Sequence, residues 1–314
     1  MINLHHLRVF YMTAKHLSCT AAAERLYITQ PAVTAQIKRF EEQCSLKLFK
    51  RKGRNIYLTE EGRALFDYAK RIFACEKDLE NVIEEMRELK RGVLRLGTTK
   101  TYARYFMPFL VTNFHEAYPQ IKIHLDEGSS ADMIHSLVDL KNEVAVIARA
   151  EENPDVRFIP FSQEELVVIL APDHPLASRD AISVNDLARE PIIMKELGSG
   201  TRKKVNALFA GNQCTPDILM ETSNAEFIKE LVHRGEGVSF LVREAVSIEL
   251  QEKRLATLPL EGPSIYLDVS IAYLENQNLS LPAQAFVDIL LKIAQEKPGD
   301  GLRDIMSRIF DHWK

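Results

Sequence analysis

Residues 20–42 read TAAAERLYITQPAVTAQIKRFEE. Two short helical runs stand almost back to back in this stretch. Ala21, Ala22 and Ala23 are small enough to let a neighbouring helix pack close, and Leu26 and Ile28 close the first run. Ser18 or Thr20 can cap it, because a side-chain oxygen accepts from an otherwise unpaired helical N–H. Thr29 reads as the cap of the second run. Pro31 falls in its first turn, where a missing N–H costs little. Val33, Ile37 and Phe40 recur at helical spacing and predict a buried face. Gln30, Thr34, Ala35, Lys38 and Arg39 are left on or near the opposite face, with Pro31 beside them.

Working outward, Leu4, Leu7, Val9, Phe10, Met12 and Leu17 predict a preceding helix over roughly residues 3–15. Downstream, residues 46–62 read LKLFKRKGRNIYLTEEG. Two strand-like runs, Lys47–Phe49 and Asn55–Leu58, flank a basic turn that contains a glycine. They predict a small hairpin, or wing, with Arg51, Lys52 and Arg54 near its tip. A helix with a polar face fits the DNA major groove, where Gln reads adenine and Thr touches a thymine methyl. A basic wing beside it reaches the backbone or the minor groove. A plain helical hairpin is the other reading of residues 20–42 alone, and the adjacent wing favours the DNA reading.

Charge divides the same way. Residues 1–58 hold ten Lys/Arg and three acids, a net of +7. The whole chain is −4, so the remainder carries −11. A basic head on an acidic body points to a head that meets a polyanion. The length of 314 residues predicts two or three domains. Cys19, Cys44, Cys75 and Cys214 show no ligand-like spacing, so no metal site and no disulfide framework is expected; no cofactor is expected either. The start, MINLHHLRVF, does not read as a signal peptide, and no apolar run is long enough for a membrane span. A cytoplasmic protein without a membrane partner is the expectation.

The stretch from Phe10 to Gly62 resembles the winged helix–turn–helix domain of the LysR-type transcriptional regulators. The resemblance rests on Ala22-Ala23, Leu26, Gln30-Pro31-Ala32-Val33, Gln36-Ile37, Glu42, Leu48-Phe49, Arg51, Leu58-Thr59 and Gly62. Three departures stand out. Cys19 occupies a place usually aromatic, Thr34 a place usually Ser, and Ser45 a place usually Gly.

From Glu60 to Arg91 there is no proline, and Gly62 is the one glycine. Leu65, Ala69, Ile72, Leu79, Ile83 and Met86 follow alternating four- and three-residue steps, with Glu76 as a polar interruption. Such a seam predicts a long two-helix contact. The resemblance implies that this linker helix dimerises and spaces two wings over an inverted-repeat operator. Gly92 is read as its end.

After Gly92 the pattern becomes repeated β–α. VLRLG, IKIHLDEG and EVAVIA read as strands, with helices at about 103–117 and 131–140 between them. A second set follows: LVVILAP, PIIM, DILME and GVSFLV, with helices from about 201 and 225. SIYLDVSIAYL reads as a strand returning to the first set. This is the signature of parallel α/β sheets in two lobes, and ligands in such sheets sit at strand C-terminal ends. The stretches PFSQEELVVILAPDHPLA, LGSGTRKKV and ELVHRGEGVSFLV resemble the LysR-type effector-binding region. That resemblance implies a two-lobed, periplasmic-binding-protein-like α/β domain.

The predicted division is a winged head over 1–59 and a linker helix over 60–91. An effector domain follows over 92–296, with lobe I at about 92–161 and 267–296 and lobe II at about 162–266. An extra helix is predicted over 297–314. Three polar stretches at strand ends could line a cleft: Thr99-Lys100-Thr101-Tyr102, Ser129-Ser130 and Thr201-Arg202. Helix N-termini favour an anion. With the resemblance, the expected ligand is a small anion, a carboxylate being one option, and Tyr102 could stack on it or block it.

A ligand-responsive transcription factor is therefore expected. Its partners would be double-stranded operator DNA, a small anionic effector, further copies of itself as a homodimer or homotetramer, and RNA polymerase. Two alternatives belong to other classes. An enzyme could use Ser129, Ser199, His174 and His233, yet the chain has no G-x-S-x-G elbow and no phosphate loop. An architectural DNA-binding protein would bind DNA without regard to any metabolite.

Overall fold

A computed structural model describes residues 2–53, 55–149 and 152–295. Arg54 and the helix expected over 297–314 lie outside the described residues. The chain divides into two compact units, Met1–Glu85 and Met86–Lys314.

In the first unit, α1 (Leu4–His16) is capped by Asn3, whose side chain accepts from the N–H groups of His5 and His6. Helix α2 (Cys19–Leu26) is capped by Ser18, and α3 (Gln30–Cys44) by Thr29, with Pro31 in its first turn. Phe10, Phe40, Leu48 and Ala69 fill one core cluster, and Val9, Ala22, Val33 and Ile37 a second. All three helices end on a non-glycine residue in the left-handed region: Leu17 at φ 48°, Tyr27 at 55° and Ser45 at 55°.

The wing pairs β1 (Phe49–Lys52) with β2 (Asn55–Leu58), in register from Phe49↔Leu58 to Lys52↔Asn55. Its first strand starts two residues later than the sequence suggested. The cause is Glu41, a buried carboxylate near the end of α3. It accepts from Leu48 N at 2.8 Å and Phe49 N at 3.2 Å and pairs with Lys47 at 3.1 Å, so this segment is held by a side chain before the ladder begins.

Helix α4 spans Glu60–Arg87. It stops four residues short of the predicted end, with Leu89 left-handed at φ 56°, and Gly92 opens a strand instead of closing the helix. The seam is also corrected. Ala69 is fully buried in the head core, and Leu65 packs against it with Phe66 and Phe73. Tyr11 of α1 lies against both rings, at 5.6 and 5.0 Å between centroids. Glu76 does not interrupt a seam. It pairs with Arg8 of α1. One stripe of α4 thus serves the head, and the other leaves Tyr68, Ile72, Cys75, Leu79, Ile83 and Met86 exposed.

The second unit runs in chain order through β3 (Gly92–Thr99), α5 (Lys100–Tyr105), α6 (Met107–Ala117), β4 (Ile121–Gly128), α7 (Ser130–Val138) and β5 (Val144–Ala148). The long β6 (Val156–Leu170) follows, then α8 (Val184–Leu187), β7 (Pro191–Lys195), α9 (Gly200–Gly211), β8 (Asp217–Thr222), α10 (Ala225–His233) and β9 (Ser239–Val242). It closes with α11 (Ser247–Gln251), β10 (Ala256–Leu258), β11 (Ile265–Leu274) and α12 (Leu281–Gln295). The helix expected over 103–117 is two helices. Pro108 has no N–H, and its ring would strike the carbonyl four residues back, so the helix breaks at Phe106.

Strands β4, β3 and β5 are parallel neighbours. β11 returns to pair antiparallel with both β5 and β6, as its sequence suggested. β6 carries on to β9 and β10, and β7 pairs in parallel with β8. The two long strands β6 and β11 therefore cross between the lobes. The largest core cluster runs through both, from Leu94, Leu96 and Phe114 to Ile192, Phe209 and Phe240.

Candidate functional site: a DNA-reading helix and an interlobe cleft

On α3, Val33, Ile37 and Phe40 are buried, while Gln30, Pro31, Ala35, Lys38 and Arg39 are exposed and Thr34 is half-buried. Gln30 Nε2 donates to Thr34 Oγ1 at 3.1 Å, and that hydroxyl bonds back to the Gln30 carbonyl at 3.2 Å. Two candidate base readers thus hold each other in place. Lys38 stands 3.7 Å from Glu42 along the same helix. Arg51 and Lys52 are exposed on β1. Tyr27, which sequence reasoning passed over, is 95% exposed in the turn before α3. Its signal was a large aromatic residue in the tight turn between two helices, flanked by Leu26 and Ile28, which pack inward.

In the second unit, one pocket gathers most of the predicted cleft residues. Thr99, Lys100, Thr101, Tyr102, Ser129, Ser130 and Thr201 line it, with Ser199, Lys195 and Glu196, around a cavity of about 30 Å³. Two of the hydroxyls are already engaged. Thr99 Oγ1 accepts from Tyr102 N at 3.3 Å, and Ser129 Oγ accepts from Asp132 N at 3.1 Å. Ser129 N donates in turn to Asp132 at 2.9 Å, and the bonds from Ser129 hold the Asp132 carboxyl below the usual carboxylate range. Helix α9 differs, because Ser199 makes no side-chain cap bond to it. The Ser130 and Tyr102 hydroxyls are buried without a hydrogen-bond partner. Burial, then the charges of Glu164 and Asp268, push the Tyr102 phenol well up, so it stays a donor.

The lobes meet closely beside this pocket. Gly198 has φ 81°, and a Cβ there would stand 2.9 Å from Ala131 Cβ; one on Gly200 would stand 2.5 Å from Ala148 Cβ. Ala131 N also donates to the Gly198 carbonyl at 3.2 Å.

This combination, a capped Gln-Pro helix with an exposed polar face beside a basic wing, then a two-lobed α/β unit with polar strand ends in a cleft, agrees with two family models. Residues 4–63 match the bacterial regulatory helix-turn-helix protein of the lysR family, and residues 87–295 match the LysR substrate binding domain. The chain belongs to the LysR family. It is a DNA-binding transcriptional regulator with an effector-binding domain.

Among its LysR relatives is the HTH-type transcriptional activator CmpR of Synechocystis sp., 37% identical over 91% of this chain and 94% of that protein. The effector binding domain of QuiR in complex with shikimate is 27% identical, with a TM-score of 0.61 over 66% of this chain and 98% of that one. The CcmR regulatory domain of Synechocystis PCC6803 in complex with 2-PG is 30% identical, with a TM-score of 0.60 over 65% and 97%.

Within this LysR effector unit, one predicted residue leaves the cleft. Arg202 is buried, donating to the Lys195 carbonyl at 2.9 Å and to Glu221 at 2.7 Å. Its charge is paired with Glu221 of β8, and a second bond ties it to the end of β7. A cation that joins Lys100 in the pocket lining is Lys195, 5% exposed. Burial pulls the Lys195 ammonium below its ordinary range. Sequence reasoning missed it because a lysine after the apolar run PIIM looks like a solvated strand end. The candidate histidines have structural roles in this LysR chain: His174, in a turn, accepts at Nδ1 from Leu176 N at 3.2 Å, and His233, the last residue of α10, bonds the Arg254 carbonyl through Nδ1 at 2.7 Å. Among the described residues no group of His, Cys, Asp and Glu could hold a metal ion, and no helix is long and apolar enough to cross a membrane.

Proposed function

We propose that this LysR regulator senses a small anion in the interlobe cleft and transmits its binding to operator contacts made by α3 and the wing. The observation that carries the reading is the pocket itself: strand ends from both lobes converge on it, with buried unpartnered hydroxyls and an N-terminus of α9 left without a side-chain cap. Such groups suit oxyanions. The relatives seen with shikimate and 2-PG support a small polar ligand here.

Gln30 and Thr34 would meet base edges, and Lys38, Arg39, Arg51 and Lys52 phosphates. The exposed stripe of α4 would join two copies, so that two heads span two half-sites. Coupling requires the ligand to favour one arrangement of the protein over another. The regulator would act in the cytoplasm, with RNA polymerase as the further partner its role implies.

The test is a footprint of the full-length protein on its own promoter region, with and without a panel of small anions that includes shikimate and 2-PG. A ligand-dependent change in the protected region is the expected result. A footprint unchanged across the panel, together with unchanged regulation in a Thr101→Val strain, would overturn the reading and favour an effector-independent architectural role.

A further inference from the structure

Two lysines reach the cleft from opposite lobes and end on the same residue. Lys100 opens α5 in one lobe, and its Nζ donates to Ser223 Oγ at 2.7 Å. Lys195 closes β7 in the other, and its Nζ donates to the Ser223 carbonyl. Both line the pocket. The carboxylate beside Lys195, Glu196, stands 3.6 Å from the ammonium, beyond hydrogen-bonding distance, and its Oε2 is buried without a hydrogen-bond partner. Two cations drawn to one neutral serine repel each other, and more strongly where water is excluded. Burial depresses the Lys195 ammonium, Glu196 partly offsets that, and the proximity of Lys100 adds to the depression. An anion between them would remove the repulsion. It would also meet the two unpartnered hydroxyls, Ser130 Oγ and Tyr102 Oη.

We propose that Lys100 and Lys195 form a cationic clamp that closes the lobes on a compact oxyanion, with Lys195 as the residue that reads the ligand's charge. This rests on the reading of the cleft as an anion site and adds which side chains set its selectivity. Lys195 is the discriminating member because it is buried: the carboxylate beside it, Glu196, stands 3.6 Å away without a hydrogen bond, so an uncharged ligand leaves the ammonium only weakly compensated. Lys100 is exposed and hydrated when the lobes part, so it contributes mainly to closure.

Inorganic sulfate and inorganic phosphate are the probes, added to the full-length protein at constant ionic strength. Binding is read by calorimetry and by the thermal midpoint of the effector unit. In the wild type both anions should bind saturably and raise the midpoint. Lys195→Met should weaken sulfate by about tenfold or more, a loss of roughly 1.4 kcal/mol, and Lys195→Arg should restore most of it. Lys100→Met should weaken it by a smaller factor.

A folded Lys195→Met protein that binds sulfate like the wild type overturns the clamp. So does a wild type with no saturable response to either anion. Should Lys195→Met fail to fold, Lys100→Met at its exposed position decides, and wild-type sulfate affinity there overturns the proposal. None of these outcomes depends on DNA, so loss of the clamp is distinguishable from loss of the regulatory reading, which the footprint tests.

Discussion

The Tyr105 hydroxyl lies 2.7 Å from the Glu226 carboxylate and joins α5 to α10 across the mouth of the cleft. Lys229 Nζ backs the pair, at 3.0 Å from Tyr105 Oη and 2.8 Å from both Glu226 and the buried Glu249. Arg104 adds a fourth charge, 3.4 Å from Glu226. Burial alone would raise the Glu226 carboxyl, but the bonds from Lys229 and Tyr105, with the charge of Arg104, outweigh it and hold it below the usual range. A depressed carboxyl stabilises the fold above its unfolded pKa, and that contribution is lost as pH falls through the folded value. Urea unfolding should therefore show Glu226→Gln less stable than wild type at neutral pH, with the gap closing in acid. Tyr105→Phe should cost about 1 kcal/mol.

Glu41 tests the head separately. It satisfies two backbone N–H groups, of Leu48 and Phe49, at the entrance to the wing. Hydrogen bonds to a charged group contribute about 1.5–3 kcal/mol. Glu41→Gln keeps the shape but weakens these bonds, so the head should lose on the order of 2 kcal/mol and DNA affinity should fall with it. Thermal melts followed by circular dichroism, beside an anisotropy titration, measure both.

Phosphate and base contacts separate by salt. Lys38→Ala should weaken binding evenly across operator sequences and flatten the plot of log affinity against log salt by about one unit. Thr34→Ala frees the Gln30 amide from its 3.1 Å bond and should relax base preference, by about 1–3 kcal/mol at one position. Competition between operator variants reads the difference. A Lys38→Ala slope equal to wild type would remove it from the phosphate set.

The two stripes of α4 predict opposite phenotypes. Leu79→Glu, on the exposed stripe, should lower the oligomeric state in sedimentation equilibrium while leaving the head's melting unchanged. Ala69→Leu, on the buried stripe, should unfold the head by overpacking, a penalty of about 1–3 kcal/mol.

Sequence reading succeeded where the determinants are local and stopped where they come from packing. The head was legible because helical spacing and side-chain caps are local: Thr29, Pro31, Val33 and Ile37 each act within a turn or two of where they stand. The returning strand at 265–274 was legible from its alternation and length. The seam was half legible. Leu65 and Ala69 obey the same spacing as Ile72 and Leu79, and only the packing of α1 on α4 tells which face is taken. Among cleft residues, Thr99 and Ser129 announced themselves at strand ends and Thr201 at the start of a helix. Arg202 and Lys195 exchanged places, because one arginine finds Glu221 only through the parallel pairing of β7 with β8. Charge in a sequence does not reveal which partner has already claimed it.

The left-handed helix ends of the head carry a further consequence. Leu17, Tyr27 and Ser45 all hold positive φ where a side chain crowds the backbone, a conformation unfavourable by roughly 1–2 kcal/mol for an L-residue. Ser45 stands at the far end of α3 from Gln30, so Ser45→Gly relieves its joint without touching a base-reading side chain. A gain of a few tenths to about 1 kcal/mol is expected, seen as a higher melting temperature of the head. The DNA-binding unit therefore holds an untapped reserve of heat resistance at its hinges, open to protein engineers one glycine at a time.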